Sequence, residues 1–262
     1  MNTSLQKLFS MLSNSELPQS GGLFEFDNNE IRRYEQADIN FLNSYFTRGF
    51  DVSLLKGKET SASSAHTLFD ISFNAFDIFL NAWLSELPVE RETIRFAKKI
   101  IASCQSLKTQ EEKRRAADKI TSNRADEDTI TVLNAAAKTG HEIHRMMGLL
   151  RFSPDKNGWF TAKCEPDHLI LPALGEYFSS RFGETPWSVI DIKRGLCLKR
   201  SPSGAAKTCL LNESILTGNE TDDEWEELWK HYHKIINNED RNNPVLQRQF
   251  MPQRYWKYLP EK

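Results

Sequence analysis

Long apolar runs are missing from this chain. A membrane-crossing helix needs roughly 18 to 20 consecutive apolar residues, and the most apolar stretch, Leu68 to Leu87, is interrupted by Asp70, Asn74, Asp77 and Asn81. The N-terminus carries a single lysine and a mixed amphipathic pattern without a small-residue cleavage site, so it does not read as an export signal. Cysteine is scarce as well: Cys104, Cys164, Cys197 and Cys209 are scattered beside apolar residues without a CxxC pair, which fits free buried thiols in a reducing cytoplasm. There is no Gly-rich P-loop, GxGxxG, GxSxG or HExxH. That sets aside a nucleotide hydrolase, a dinucleotide enzyme and a serine hydrolase. Charge of one sign is lacking too, since the net charge is −2, and any nucleic-acid binding must come from a local patch. The sequence therefore predicts a soluble cytoplasmic protein with no membrane segment.

What is present is ample core material. The 262 residues are 39% hydrophobic and 27% charged, within the range of globular chains. Residues 1 to about 20 read as a short amphipathic helix and GGLFEFD as a short strand after a turn, with a helical face over Glu30 to Phe50. Ser64 to Leu87 carries Phe69, Phe73, Phe76, Leu80, Trp83, Leu84 and Leu87, mostly at three-to-four residue steps, which predicts one amphipathic helix ended by Pro88. Two more helices are expected at Val89–Ser106 and Ser122–Met147. Between them, LKTQEEKRRAADKITSNRADED is a solvated helix or a charged connector, and it is the natural place for a domain boundary. The expected division is a helix-rich region over 1–120 and an α+β domain over 121–262.

After Gly148 the pattern turns strand-like. LLRF, a turn at Ser-Pro-Asp-Lys-Asn-Gly and WFTAKCE predict a hairpin. A helix follows over Leu169 to Phe182, with Asp167 as its expected N-cap. WSVIDI, GLCLKR and AAKTCLL predict a three-stranded meander, and Asp222 to Ile236 a further helix before an extended tail. The expected class is α+β: a helical N-terminal region, then a small antiparallel sheet with flanking helices.

Five blocks carry a resemblance. HEIHRMMGLLRF, CEPDHLILPALGEYFSSRF, PWSVIDIKRG, LWKHYHKII and RNNPVLQRQFMPQRYWKYLPE, in this order from about Glu142 to Glu261, resemble the domain of unknown function 4130 family. The N-terminal region is similar mainly at NAWLSELP. The resemblance implies a role in DNA metabolism, beside a radical S-adenosylmethionine protein that modifies or repairs DNA, and a domain that is elsewhere joined to a uracil-DNA glycosylase-like domain. Where it implies a His-Phe pair, this chain has Tyr177-Phe178.

Several residues are candidates for chemistry. His141 and His144 face nearly the same way on a helix, yet with Glu142 they complete no zinc set, so neither a metal nor a cofactor is expected. Asp167 and His168 at a helix start, with Asp191, form a candidate acid-base group, or else Asp167 simply caps. Arg145 and Arg151 flank an apolar run and either grip a phosphate or pair with a buried carboxylate such as Asp191, while Arg194, in the hairpin turn after Asp191, is either solvated or a contact to a nucleic-acid backbone. The tail interleaves Arg248, Arg254 and Lys257 with Phe250, Tyr255, Trp256 and Tyr258, the ingredients of single-strand recognition, or of an extended segment packed back on the fold. The topology further predicts that His144, Arg145, Arg151, Asp167, His168, Asp191 and Arg194 converge on one concave surface.

Three functions follow as expectations. The first is a protein that binds DNA or docks on a DNA-modifying partner such as a radical S-adenosylmethionine enzyme. The second is a glycosylase-like hydrolase using the Asp/His groups. The third is a structural protein-interaction module.

Overall fold

The computed structural model describes residues 5–13, 36–47, 67–155, 158–211, 223–238 and 243–261. The strand expected at GGLFEFD lies outside the described residues. The chain divides into two compact units: Met1–His141 with Asp167–Leu169, and Glu142–Pro166 with Ile170–Lys262. The border falls within one long helix, Glu127–Leu149. No described helix is long and apolar enough to cross a membrane.

The first unit is helical. Helix Phe73–Leu84 buries Phe76, Phe79, Leu80, Trp83 and Leu84, whose i, i+3, i+4, i+7, i+8 spacing makes one continuous apolar face. It does not continue the turn at 67–71 as one helix. Ser72 breaks out to φ −160°, and its Oγ accepts from the Ala75 N–H at 3.3 Å, so the serine caps a new helix. The helix ends at Leu84, before Pro88, where Ser85 caps it.

Phe9 from Leu5–Ser13, Phe41 from Gln36–Phe46, and Phe76 and Phe79 gather into a core of stacked and edge-on rings. All four are fully buried. The polar ends are tied by the Leu5 N–H donating to Asp38 Oδ1 at 3.0 Å and the Tyr45 hydroxyl donating to Asp77 at 2.9 Å.

The charged segment folds as helix Gln110–Thr121, which packs on helix Glu90–Cys104. A capping box starts it: Thr109 Oγ1 accepts from the Glu112 N–H, and the Glu112 carboxylate accepts from the Thr109 N–H. Lys99 reaches Asp126 at 2.6 Å and Asp128 at 2.8 Å, at the start of the long helix. The Lys99 hydrogen bond, with the Thr129 N–H behind it, holds the Asp126 carboxyl down to about 2.

The second unit is a five-stranded sheet in order β1 (Ser153–Pro154), β2 (Phe160–Cys164), β3 (Trp187–Asp191), β4 (Leu196–Arg200), β5 (Lys207–Leu210). The class is α+β and the expected meander is present; β1 and β2 also pair as a hairpin, but β1 is Ser153–Pro154, residues expected in the turn, because the long helix runs on to Leu149 and LLRF forms no strand. The sheet is mixed rather than antiparallel, because β2 and β3 run parallel. Their connection is a crossover through a 3-10 turn, Leu171–Leu174, and helix Gly175–Phe182, and such a crossover returns the chain in the same direction. Asp167 does not cap this helix. Pro172 lacks an N–H and has a fixed φ, which suits it to a first turn, and so the helical stretch begins after Ile170. Gly175 lies where a Cβ would come within 3.2 Å of Ala206, so the helix can sit close on the sheet there.

β3 is buried along its whole length. Phe178 and Phe182 from the crossover helix pack with Trp187, and Phe152 packs on both phenylalanines. The tail is not extended: it forms helix Pro244–Phe250 and a 3-10 turn, Gln253–Tyr258, the latter packed on β2.

Removing one ring from the first core tests its weight. Phe76→Ala is expected to cost about 3–5 kcal/mol of unfolding free energy, by lost burial plus the cavity left behind. Urea unfolding followed by circular dichroism checks this, and a loss under about 1 kcal/mol would show that the ring cluster is not the organising core.

Candidate functional site

The turn between β3 and β4 places the first candidates. Asp191 ends β3, and three residues later Arg194 folds back so that its N–H donates to Asp191 Oδ1 at 3.1 Å and its Nη1 to Oδ2 at 2.8 Å. Gly195 closes the turn at φ +61°, a conformation glycine adopts without strain. The same Nη1 donates to the Pro166 carbonyl at 2.9 Å, which pins the chain just beyond β2. Both side chains are essentially sealed, 0% and 2% exposed. A guanidinium so placed presents nothing to a phosphate, and the carboxylate has no face toward solvent. These two residues lie inside the unit and so do not line a concave surface.

Three glutamates hold the C-terminal segment. Buried Glu142 accepts from the Tyr255 hydroxyl. Arg254 covers that tyrosine, with its Nη2 donating to the hydroxyl at 3.0 Å and its guanidinium 4.6 Å from the ring centre. Glu165 accepts from Lys257 Nζ and from the Tyr258 hydroxyl, both at 2.6 Å. Those two hydrogen bonds, Lys257 first, hold the Glu165 carboxyl below its ordinary value, while burial, then Glu165, push the Tyr258 hydroxyl up.

Glu261 closes the set. Its Oε1 accepts from Arg151 Nη2 at 2.6 Å and Nε at 3.1 Å, and its Oε2 from Trp229 Nε1 at 2.9 Å. Arg151 also lies 5.1 Å from the Trp229 ring centre. Burial pushes the Glu261 carboxyl up, but the hydrogen bond from Arg151 and those behind it outweigh this and leave it lowered.

Of the residues singled out for nucleic acid, Tyr255 is thus turned inward, and Arg151, Arg194, Arg254 and Lys257 each have an internal partner. Trp256 is half-buried and donates from Nε1 to the Met251 carbonyl at 2.9 Å. Arg145 is half-buried and Arg248 exposed. His144 is exposed on the long helix, and among the described residues no three His, Cys, Asp or Glu side chains gather as metal ligands.

Asp167 and His168 belong to the first unit. His168 Nδ1 lies 2.6 Å from the Ser85 carbonyl; because a carbonyl only accepts, Nδ1 carries the hydrogen and the ring is oriented by it. Asp167 is exposed.

Sequence reasoning missed Glu142, Glu165 and Glu261. Their partners lie 32 to 113 residues away, separations no local motif reveals. It also missed an outward apolar face. Leu228, Tyr232, Ile235 and Ile236 on helix Asp223–Ile236 and Val245, Leu246 and Phe250 on helix Pro244–Phe250 are all exposed. The i, i+4, i+7, i+8 spacing on the first of these helices was the available signal.

The Arg151–Glu261 pair makes a pH test. Glu261 is held below its ordinary 4.5 in the folded chain, so its contribution is fully present above pH 4.5 and is lost as pH falls through the lower folded value. Near neutrality Arg151→Met is expected to lower stability by about 1–3 kcal/mol. Measured by urea unfolding at a series of pH values, the gap to wild type should narrow below 4.5. A gap that stays constant through that range would show that the pair does not hold the C-terminus.

No curated protein and no solved structure matches the chain. The family model described as domain of unknown function, DUF4130, matches residues 101–261. The match begins well before Glu142, where the sequence blocks begin, and takes in the capped helix Gln110–Thr121 and the whole long helix. A match over more than half of the 262 residues, through both the long helix and the glutamate-held C-terminal segment, places this chain in the DUF4130 family.

Proposed function

We propose that this chain is a docking component of DNA metabolism, which binds a protein partner through its C-terminal helices. The observation that carries this reading is the exposed apolar face on Asp223–Ile236, continued in sequence by Pro244–Phe250. Single exposed leucines are ordinary, but four large apolar side chains in one helical stripe, with three more on the next helix, are the pattern of an interaction surface. Covering such side chains returns roughly 25 cal/mol per Å² of apolar area.

The link to DNA metabolism, and the choice of a radical S-adenosylmethionine protein as partner, rest on the family resemblance and are an analogy. Docking is favoured over direct DNA binding because three of the cations suited to phosphates are engaged: Arg151 with Glu261, Arg194 with Asp191, Lys257 with Glu165. It is favoured over hydrolysis by Asp191 because that carboxylate is sealed against Arg194.

The test is a binding assay between the purified chain and a purified radical S-adenosylmethionine protein from the same cell, beside gel shifts on single-stranded, duplex and uracil-containing DNA. Wild type is expected to bind the partner, and the double variant Leu228→Asp, Ile235→Asp to lose it with an unchanged circular dichroism spectrum. DNA binding without the partner, with a log-log salt slope that drops by about 0.7–0.9 in Arg248→Ala, would replace docking with direct recognition. Absence of both partner and DNA affinity would remove the reading altogether.

A further inference from the structure

Cys197 on β4 and Cys209 on β5 stand directly opposite each other in an antiparallel register, so both side chains leave the same face of the sheet. The Leu211 N–H donates to the Gly195 carbonyl at 2.8 Å, which marks that pair as hydrogen-bonded. Such pairs alternate, and two steps along both strands the Cys197–Cys209 pair is of the same kind, with Cα atoms about 5.5 Å apart. That separation lies within the span of about 4.4–6.8 Å that a disulfide bridges. The Cys209 side chain turns toward its partner residue: its Sγ donates to the Cys197 carbonyl at 3.4 Å.

The surroundings differ for the two sulfurs. Cys197 is buried, while Cys209 is half-buried on the edge strand. The next pair on the same face is Lys199 opposite Lys207, both exposed, so two lysines share that face with the thiols. The hydrogen bond from Cys197, helped by the Lys199 charge against the cost of burial, lowers the Cys209 thiol below its ordinary value. The same hydrogen bond, then burial, pushes Cys197 up.

We propose that Cys197 and Cys209 form a reversible oxidation site, at which a hydroperoxide converts the two thiols into a cross-strand disulfide. In the first step the Cys209 thiolate attacks the peroxide oxygen; the S–O bond forms, the O–O bond breaks, and the leaving oxygen takes a proton as water or an alcohol. In the second the Cys197 sulfur attacks the sulfenic sulfur of Cys209; the S–S bond forms, the S–O bond breaks, and the departing hydroxide takes the Cys197 proton as water. The dithiol loses two electrons and the peroxide gains them.

Opposed Cβ atoms in a ladder stand farther apart than the mean of about 3.8 Å in disulfides, so closure must draw the strands together. Among the described residues β5 is a four-residue edge strand paired with β4, and it can yield. The strain left behind makes the bond easily reduced, which is what a reversible site requires.

The full chain is treated with stoichiometric hydrogen peroxide, then unfolded, alkylated and digested for mass spectrometry. The expected product is a peptide pair linked through Cys197 and Cys209, lighter by two hydrogen masses, restored by dithiothreitol and absent in Cys209→Ser. Buried Cys104 and Cys164 are expected to alkylate throughout. In Cys197→Ser the sulfenic acid has no resolving thiol, and dimedone is expected to trap it on Cys209. Full alkylation of both residues after peroxide, or oxidation of Cys209 beyond sulfenic acid in wild type without a link, would overturn the proposal, as would the absence of a dimedone adduct on Cys209 in Cys197→Ser.

Discussion

A guanidinium taken out of water must be given acceptors, and in this protein that demand is met at one turn. Arg194 is sealed against Asp191 and the Pro166 carbonyl, while the Ile192 N–H donates to the Cys164 carbonyl at 3.0 Å. The ends of β2 and β3 and the start of β4 are therefore fixed by one small hydrogen-bonded knot. Burying two charges costs several kcal/mol per ion, so the pair as a whole adds little net stability. Its effect is on geometry: any other arrangement of the turn leaves a buried charge without a partner.

The C-terminal segment follows the same logic at the rim. Tyr255 is led inward to a buried Glu142, Lys257 and Tyr258 to Glu165, and Arg151 with Trp229 to Glu261. Each contact joins residues far apart in sequence, so the tail is held by several moderate interactions rather than by a large apolar footprint. Tyr255 and Leu259 are its buried side chains.

Elements with a strong period were legible in the sequence. The helix carrying Phe76, Leu80, Trp83 and Leu84 and the meander punctuated by Lys-Arg-Gly and Ser-Pro-Ser-Gly both stand where periodicity and turn residues put them. What periodicity cannot encode is the neighbour. Alternation says that Phe160–Cys164 is a strand and is silent on whether its partner runs with it or against it. The parallel pairing was readable from another feature, a helix between two strands. Ser72 as an internal cap, the Thr109–Glu112 capping box and Pro172 as a first-turn marker were also in the sequence, as weaker local signals than the apolar periods around them. For the site, residue type was legible and orientation was not. Arginine beside tyrosine and tryptophan is equally the composition of a nucleic-acid strip and of a latch, and the glutamates that hold Arg151, Tyr255, Lys257 and Tyr258 lie far away in the sequence.

Those glutamates also change where a partner should be sought. Had Arg151, Arg194 and Lys257 stood unpaired in water, electrostatic attraction to a polyanion would have been the leading driving force, weakened by salt within about 10 Å at 0.1 M. With Arg151, Arg194 and Lys257 matched internally, their fields are largely cancelled at the surface. The unsatisfied free energy then lies in apolar area, on the faces of Asp223–Ile236 and Pro244–Phe250. Apolar association is insensitive to modest salt and strengthens with kosmotropic salts. The two modes of recognition therefore respond to ionic strength in opposite directions, and that difference follows from which side chains the fold has already paired.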